Sequence, residues 1–240
     1  MSVRQLKLSK RLLCAAELSG CAEVIADVGT DHAYLPIYML TAGKAEKAIA
    51  TDINTGPLER AGANAKLFNV DDRLTLLHTD GLYGVERFSP DVVVIAGMGG
   101  ELSASIIEKA VFLQNCYRRI VCQPMTHSEL LRASLCRLGF VIYDERTVRD
   151  GKLYQLFAAE YTGKQENYSD AELLVGRRSD KDDPLTAEYI SSVICRLKKE
   201  YNGILCSKSE NEFKNKHRAD LKRLQNTIEE LCSMMKRDIP

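Results

Sequence analysis

The sequence predicts an α/β fold with a mostly parallel, seven-stranded sheet, followed by a C-terminal α-helical hairpin. Between residue 23 and about residue 160, short apolar runs alternate with segments of helical periodicity, which is typical of successive βα units in a parallel sheet. The last two apolar runs of this region are joined by the turn Asp150-Gly151, which predicts an antiparallel pair of strands. After Tyr161 the apolar residues change to heptad spacing, which is typical of paired helices.

Each predicted strand is a short apolar run rich in β-branched residues that ends at Gly, Asp or Pro. In chain order the strand segments are EVIADVG, KAIATDI, RLTLLHTD, DVVVIAGMG, RRIVCQP, FVIYDERTVRD and GKLYQLFAAEY. The helical segments between them are YLPIYMLTAG, GPLERAGANAKLFN, ELSASIIEKAVFL and HSELLRASLCRLG. Pro57 near the start of the second helix and Gly139 at the end of the last are residues that typically begin and end helices.

The first twenty residues, MSVRQLKLSKRLLCAAELSG, have a basic start and an apolar middle. Glu17 interrupts the apolar run, which leads directly into the first strand. We therefore interpret residues 1–20 as a basic amphipathic helix and not as a signal peptide. With this helix included, we expect a first domain over residues 1–161.

Residues 162–240 form the second predicted domain. The connection GKQENYSD is polar, and Asp182-Asp183-Pro184 interrupts the chain before a long helix. Apolar residues then recur at spacings of three and four, on either side of the polar turn KSEN. They are Ile190, Ile194, Leu197, Tyr201 and Ile204 before the turn, and His217, Leu221, Leu224, Ile228, Leu231 and Met235 after it. Two such helices are expected to fold back on each other as an antiparallel, coiled-coil-like hairpin.

The composition excludes several classes of protein. The chain of 240 residues carries 33 basic and 33 acidic residues, so any contact with nucleic acid must come from local basic patches. No segment approaches the roughly 20 apolar residues that are needed to cross a bilayer. The eight cysteines form no CxxC pair and no cluster with metal-ligand spacing. This pattern favours a reducing, cytoplasmic setting and a protein without a metal.

The chemically informative residues follow the predicted strands, because ligands of such sheets bind at the carboxyl ends of the strands. The first strand ends in a loop with one glycine, two acids and a histidine, from Asp27 to His32. The second ends at Asp52, the third at Asp80-Gly81 and the fourth at AGMGG, from Ala96 to Gly100. A dinucleotide needs several glycines around its pyrophosphate, and an acid in that loop would repel it. NAD and FAD are therefore disfavoured.

S-adenosylmethionine fits this pattern, because it has a ribose, no phosphate, and ammonium and sulfonium groups that attract carboxylates. Asp52, about 20 residues after the first loop, is placed to bind the ribose hydroxyls. Asp80 is expected to accept a hydrogen bond from the adenine amino group. Gly29 would let the backbone approach the methionine part, and Gly97 to Gly100 would leave room for a substrate base. As an alternative, Asp52 alone is equally well explained as a helix cap.

Five strings in this order, ADVGTDHAYLP, ATDINTGPLERA, HTDGL, IAGMGG and QPM, resemble the bacterial family of tRNA (adenine-22-N1)-methyltransferases. The resemblance extends over nearly the whole chain, from the basic LSKRL segment to the C-terminal helices. It implies a Rossmann-like class I methyltransferase domain, S-adenosylmethionine as the cofactor, and methyl transfer to N1 of adenosine 22 in tRNA. The cofactor-binding residues expected from these strings are Asp27, Gly29, Thr30, Asp31, Asp52, Ile53, Asn54, Asp80, Gly81, Ala96, Gly97 and Met98.

The implied reaction needs no base, because N1 of neutral adenine already carries an in-plane lone pair. Gly-Met-Gly-Gly also stands where enzymes that act on exocyclic amines carry an Asn/Asp-Pro-Pro-aromatic string. We expect catalysis mainly by positioning, with Asp31 either stabilising the cationic product or binding the cofactor ammonium. His32 is either catalytic or a loop residue that caps backbone groups. Tyr34 or Met98 is expected to hold the extruded base, bordered by Gly99 and Gly100; plain packing is the alternative for Met98.

Contacts with tRNA phosphates are expected from clustered cations. Lys7, Lys10 and Arg11 are the candidates in the N-terminal segment, and three further clusters are Arg118-Arg119, Arg177-Arg178 and the run Lys214–Arg223. Taken alone, each cluster is more often a solvated face than a binding patch. Two other functions fit the same residues. One is methyl transfer to another RNA or a small molecule, and the other is a silent cofactor-binding module whose C-terminal hairpin recruits a protein partner or a second copy of the chain.

Overall fold

The computed structural model describes residues 6–177, 179–180, 183–206 and 217–236. The chain divides into two units, Met1–Asn167 and Tyr168–Pro240. The polar connection that follows Tyr161 stays with the first unit up to Asn167.

The first unit is built around a seven-stranded sheet with the order β3-β2-β1-β4-β5-β7-β6. The strands are β1 (Ala22–Val28), β2 (Ala45–Asp52), β3 (Leu74–His78), β4 (Val92–Met98), β5 (Arg119–Pro124), β6 (Phe140–Asp150) and β7 (Lys152–Tyr161). The strands β1 to β5 are parallel, and β7 pairs antiparallel with both β5 and β6. The predicted mostly parallel sheet of seven strands is therefore confirmed.

Two apolar layers cover the two faces of this sheet, because successive residues of a strand point to opposite faces. In β1, Ile25 belongs to one layer and Ala26 to the other, and in β4 the same holds for Val94 and Ile95. All four residues are completely buried. Burial on both faces explains why the central strands read as continuous apolar runs in the sequence.

Helices of the first unit complete both layers. They are α1 (Lys10–Ser19), α2 (Tyr34–Thr41), α3 (Thr55–Leu67), α4 (Gly100–Lys109) and α5 (Ser128–Arg137). Helix α1 begins at Lys10 because the Ser9 hydroxyl accepts a hydrogen bond from the Leu12 N–H, at 3.4 Å. The predicted helix over 1–20 is therefore too long: Lys7 precedes the helix, and residues 1–5 lie outside the described part of the chain.

A buried polar cluster joins α5 to the antiparallel strands. Arg132 of α5 has no exposed side-chain surface, and its Nε donates to Oε1 of Glu145 in β6, at 2.8 Å. Its Nη2 donates to Oε1 of Gln155 in β7, at 2.9 Å, and the guanidinium lies 4.8 Å from the centre of the Phe157 ring. The cluster therefore contains a full ion pair in the interior of the first unit.

The second unit contains α6 (Asp170–Val175), α7 (Pro184–Cys206) and α8 (Arg218–Lys236). Helices α7 and α8 are antiparallel, because Ser191 near the start of α7 lies 3.7 Å (Oγ to Sδ) from Met235 near the end of α8. Met235 was expected on the apolar face of α8 that packs against α7, but it is 40% exposed. Its neighbour Met234 is buried in its place. The predicted turn KSEN lies outside the described residues. Within the described residues, no helix is long and apolar enough to cross a membrane.

Candidate functional site

The polar residues expected at the ends of β1 to β4 lie along one edge of the sheet. The strand order reverses between β1 and β4, and sheets of this kind bind ligands at that point. Backbone hydrogen bonds hold the loops together: the Thr30 N–H donates to the Thr51 carbonyl at 2.8 Å, and the Thr79 N–H donates to the Asp52 carbonyl at 3.0 Å. The edge is therefore a connected surface in which the loops after β1, β2 and β3 are neighbours.

Asp27 is buried, with 8% of its surface exposed. The acids that end the next two strands, Asp52 and Asp80, are more exposed. Burial raises the pKa of Asp27 from 3.8 to about 6, and a hydrogen bond from the Thr30 side chain opposes this rise. The Thr30 hydroxyl oxygen also accepts a hydrogen bond from the Ala33 N–H, at 3.0 Å. The arrangement holds a desolvated carboxyl group in place, and a cationic ligand would favour its charged form.

Gly29 leaves room for the Met98 side chain against the loop after β1. Its φ of 71° is in the left-handed region, where a side chain is strained. A Cβ at Gly29 would also lie 2.0 Å from Cε of Met98. The Met98 side chain therefore packs directly on the loop after β1.

Asp31 and His32 extend to the exposed side of the same loop. Asp31 Oδ1 accepts a hydrogen bond from Nη2 of Arg60 in α3, at 2.5 Å, and Asp31 Oδ2 lies 3.2 Å from Nε2 of His32. The hydrogen bond from Arg60 lowers the pKa of Asp31. The His32 ring stacks on the Tyr34 ring, with centres 5.1 Å apart and planes inclined by 12°. Asp31 therefore forms an exposed ion pair with Arg60, which fixes the orientation of its carboxylate. Arg60 was not among the predicted site residues, although it lies within the string ATDINTGPLERA.

Asp52 ends β2 and also orders the start of α3. Its Oδ1 accepts hydrogen bonds from the backbone N–H of Asn54 at 2.7 Å and from the Asn54 side chain at 3.2 Å. Asn54 is the residue that precedes α3 directly, and no side chain caps the first turn of this helix. Asp52 therefore orders the loop before α3, and its interpretation as the helix cap is wrong. The neighbouring Ile53 is 62% exposed, which places an apolar side chain next to this carboxylate.

Asp80 and Gly81 follow β3 at the mouth of a cavity of about 510 Å³. The Gly81 carbonyl accepts a hydrogen bond from the Thr51 hydroxyl at 3.0 Å, which joins this loop to β2. A Cβ at Gly81 would lie 3.1 Å from the Ile106 side chain, so this glycine also brings the loop close to α4. The walls of the cavity are mainly apolar and include Leu82, Leu102, Ile106, Val111 and Phe112.

Two backbone hydrogen bonds join the end of β4 to the end of β5. The Met125 N–H donates to the Met98 carbonyl at 2.7 Å, and the Gly100 N–H donates to the Thr126 carbonyl at 2.8 Å. The pairing of β4 with β5 is irregular between Ala96 and Met98, with Gly97 in the left-handed region at a φ of 82°. The strings AGMGG and QPMTH therefore form one surface beside the loop after β1.

The glycines of AGMGG differ in the space around them. A Cβ at Gly100 would lie 2.0 Å from the His127 carbonyl oxygen, and one at Gly99 would lie 3.2 Å from Oγ1 of Thr126. A Cβ at Gly97 would meet no described atom within 4 Å. Among these three glycines the described atoms leave open space only beside Gly97, whereas Gly100 is in close contact with the backbone after β5. Room for a substrate base stays a prediction.

The cations expected to bind tRNA have different surroundings. Lys7 and Lys10 are exposed, whereas Arg11 contacts Asp150, Gln123 and the ring of Tyr154. Arg118 and Arg119, at the amino end of β5, donate to the carbonyls of Pro90 and Cys21 on the opposite edge of the sheet. In the second unit Arg177 pairs with Glu172 and Arg223 with Asp170. Arg178 and the start of the run Lys214–Arg223 lie outside the described residues.

Comparisons with known proteins agree with this geometry. Residues 8–157 match the family model described as a methyltransferase domain. The chain is 34% identical over 175 residues to the tRNA (adenine(22)-N(1))-methyltransferase of Bacillus subtilis (strain 168), which covers 72% of this chain and 74% of the relative.

Solved structures extend the similarity to the full length. The crystal structure of the B. subtilis M1A22 tRNA methyltransferase TrmK superimposes with a TM-score of 0.82 at 30% identity, and covers 96% of this chain and 100% of that one. The structure of M. capricolum TrmK in complex with the natural cofactor product S-adenosyl-homocysteine superimposes with a TM-score of 0.76 at 25% identity, covering 95% of this chain and 98% of that one.

Proposed function

Because the chain belongs to the family of the tRNA (adenine(22)-N(1))-methyltransferases, we infer that it transfers a methyl group from S-adenosylmethionine to N1 of adenosine 22 in tRNA. The observation that carries this inference beyond family membership is the loop after β1. A buried carboxyl group at Asp27, a single glycine at Gly29 and the Met98 side chain meet there. This set suits a cationic amino-acid cofactor and is unsuited to a pyrophosphate.

We assign the cofactor contacts from the chemistry of the residues. The Asp27 carboxylate binds the ammonium group, because a desolvated anion gains most from a fixed cation. Asp52 binds the ribose hydroxyls with the oxygen lone pairs that Asn54 leaves available, and the exposed Ile53 covers the adenine ring. Asp80 binds the adenine amino group at the mouth of the cavity beside Leu102. When bound, the cofactor supplies an electrophilic methyl group on its sulfonium.

The protein promotes the reaction by holding the base and not by removing a proton. The target adenine must leave its stack so that N1 can reach the site, and the stacked pair of His32 and Tyr34 offers a flat surface for it. Asp31 compensates the positive charge that develops on the base, with Arg60 and His32 fixing its orientation. Correct placement of the two reactants supplies most of the rate enhancement.

Exposed cations at the same edge of the sheet would contact the tRNA phosphates. Lys7 lies shortly before α1 and Lys10 begins it, and the first turn of this helix contacts β5 through Arg11. We propose a cytoplasmic location, in agreement with eight cysteines that form no disulfide in the described residues. Self-association through the C-terminal helices stays a prediction, and so does their contribution to tRNA binding.

The test is transfer of a labelled methyl group from S-adenosylmethionine to an unmodified tRNA transcript. The control is the same transcript with guanosine in place of adenosine 22, which should stay unlabelled. Equal labelling of both transcripts would show that the modified position is misassigned. Cofactor binding without any labelling would favour the silent module, and labelling of another RNA alone would favour the alternative substrate.

A further inference from the structure

The guanidinium of Arg11 is the centre of a contact set that joins α1 to the reacting edge of the sheet. Its Nε donates to Oδ2 of Asp150, the last residue of β6, at 3.2 Å. Its Nη1 donates to Oε1 of Gln123 in β5, at 2.9 Å, and lies 3.3 Å from Sδ of Met125. The same group lies 4.7 Å from the centre of the Tyr154 ring. Arg11 is therefore occupied by the protein itself, unlike the exposed Lys7 and Lys10.

Gln123 connects Arg11 to the backbone of β5, because it accepts a hydrogen bond from Arg11 and donates one to a backbone carbonyl. Its side chain is 1% exposed, and its Nε2 donates to the Pro124 carbonyl at 3.1 Å. The peptide that follows Pro124 is held on its other side as well, because the Met125 N–H donates to the Met98 carbonyl at 2.7 Å. One peptide plane is thus fixed between a buried side chain and the end of β4.

Met98 and the neighbouring glycines are the residues that we place beside the methyl group and the base. The proposal below rests on that proposed function. Met98 packs on Gly29 through Cε, and the Gly100 N–H is bound to the Thr126 carbonyl. A shift of the peptide after Pro124 would therefore move both walls of the space in which the adenine must lie. A displacement of about 1 Å at such a position is enough to lower a rate by about 100-fold.

We propose that Arg11 is a positioning residue for methyl transfer. Through Gln123 and the peptide after Pro124, it fixes the end of β4 against the loop after β1. The predicted role of Arg11 as a phosphate ligand is replaced by this one, and the phosphate contacts of the N-terminal segment are left to Lys7 and Lys10. The bidentate geometry of the guanidinium explains why arginine suits this position, since its two nitrogens reach an amide and a carboxylate at once.

The central variant is Arg11→Met, which keeps an unbranched apolar side chain on Tyr154 and removes both hydrogen bonds. We expect kcat to fall by about 10- to 100-fold, with the affinity for tRNA, its salt dependence and the affinity for the cofactor unchanged. Arg11→Lys should recover part of kcat. A phosphate ligand would behave differently: tRNA binding would weaken and the slope of log K against log salt would decrease by about one, with kcat at saturating tRNA retained. That result would overturn the proposal.

The matched control is Arg146→Met. Arg146 of β6 also ties α1 to the antiparallel strands, through Glu17 at 3.1 Å near the far end of the helix, and it pairs with Asp144 of its own strand at 3.0 Å. If Arg11 only anchored the helix, both variants would lose stability alike and neither would lose kcat. We expect kcat to change less than twofold in Arg146→Met, and an equal loss of kcat in both variants would contradict the relay through Gln123.

Gln123→Glu separates the two contacts of the relay. The carboxylate would still accept from Arg11, but it could not donate to the Pro124 carbonyl. We expect kcat to fall about as far as in Arg11→Met, although the attraction to Arg11 is stronger. Activity like that of the unmodified chain would show that the contact between Gln123 and Pro124 does not matter.

Amide hydrogen exchange provides a readout that needs no methyl acceptor. In Arg11→Met, the amides of Met125 and Gly100 should exchange at least tenfold faster, whereas those in the middle of β1 and β4 should keep their protection. Unchanged protection of Met125 would refute the positioning role, whatever the substrate is. Absence of tRNA labelling by the unmodified chain would refute only the proposed function, so the two failures are distinguishable.

Discussion

Replacement of Asp27 by asparagine should make the cofactor-free protein more stable and should abolish tight cofactor binding. The carboxyl group is buried at the end of β1, and burial raises its pKa from 3.8 to about 6. The charged form is therefore disfavoured in the folded chain and would be compensated only by the ammonium group that we assign to this site. Asparagine keeps the shape of the side chain and an oxygen that accepts from Thr30.

The size and sign of the effect follow from the two pKa values. The difference between 3.8 and about 6 corresponds to about 3 kcal/mol. Because the folded pKa is raised, wild-type stability is least affected below pH 3.8 and is lost as the pH rises through about 6. At pH 7.5 the cost is complete, and at pH 4.5 it falls to about one third. Incomplete hydrogen bonding of the new amide reduces the gain to about 1–2 kcal/mol.

Thermal unfolding of the full chain between pH 4.5 and pH 7.5 measures this effect. At pH 7.5 the Tm of Asp27→Asn should exceed that of the wild type by about 2–8 °C. At pH 4.5 the same amide cost should leave the variant equal to the wild type or less stable by up to about 1 kcal/mol. Asp72→Asn, at an exposed position, is the matched control and should show no such pH dependence. In calorimetric titration with S-adenosylhomocysteine, wild-type affinity should fall by up to about tenfold per pH unit below pH 6, and the variant should bind weakly throughout.

Two results would refute this reasoning. If Asp27→Asn loses stability by the same amount at both pH values, the carboxylate contributes a favourable contact in the free protein and burial does not dominate. If the variant binds S-adenosylhomocysteine as tightly as the wild type, the ammonium group is bound elsewhere at the edge of the sheet.

Three further predictions concern the same edge and the second unit. Asp52→Ala should weaken cofactor binding by about 10- to 100-fold in a calorimetric titration, because charge-assisted hydrogen bonds contribute about 1.5–3 kcal/mol; unchanged affinity in a folded variant would show that the ribose lies elsewhere. Gly29→Ala should destabilise the chain by more than Gly43→Ala in urea unfolding, because both glycines have a positive φ but only the first meets Met98, and equal losses would show that the contact yields easily. Removal of residues 168–240 should leave cofactor binding intact and weaken tRNA binding or turnover, and full activity would show that the second unit is dispensable.

The strands and their order along the chain could be predicted because the signal is local. The runs around Ile25 and Val94 are apolar on both faces, and Gly, Asp or Pro ends each of them within a few residues. The strand-end acids could be predicted for the same reason, since parallel strands bring Asp27, Asp52 and Asp80 to one edge whatever the details of packing.

The contacts of the cations could not be predicted, because they depend on residues far away in the sequence. Arg11 contacts Gln123 and Asp150, which are 112 and 139 positions later, and no local pattern distinguishes it from the exposed Lys7 and Lys10. The close approach of His127 to Gly100 is equally invisible in the string AGMGG. The start of α1 at Lys10 could have been predicted from the sequence, because serine is a preferred residue at the position before a helix and Ser9 occupies it.

The buried cluster of Arg132, Glu145 and Gln155 constrains how this chain can change over evolutionary time. Loss of one member of a buried ion pair leaves the other charged and unpaired, at a cost of about 3–5 kcal/mol, whereas joint replacement by apolar side chains is often neutral. Single steps that remove Arg132 or Glu145 are thus selected against, and descendants should either inherit these two residues together or exchange them together. The cluster is expected to behave as a marker of lineage within the family, independent of which tRNA a member modifies.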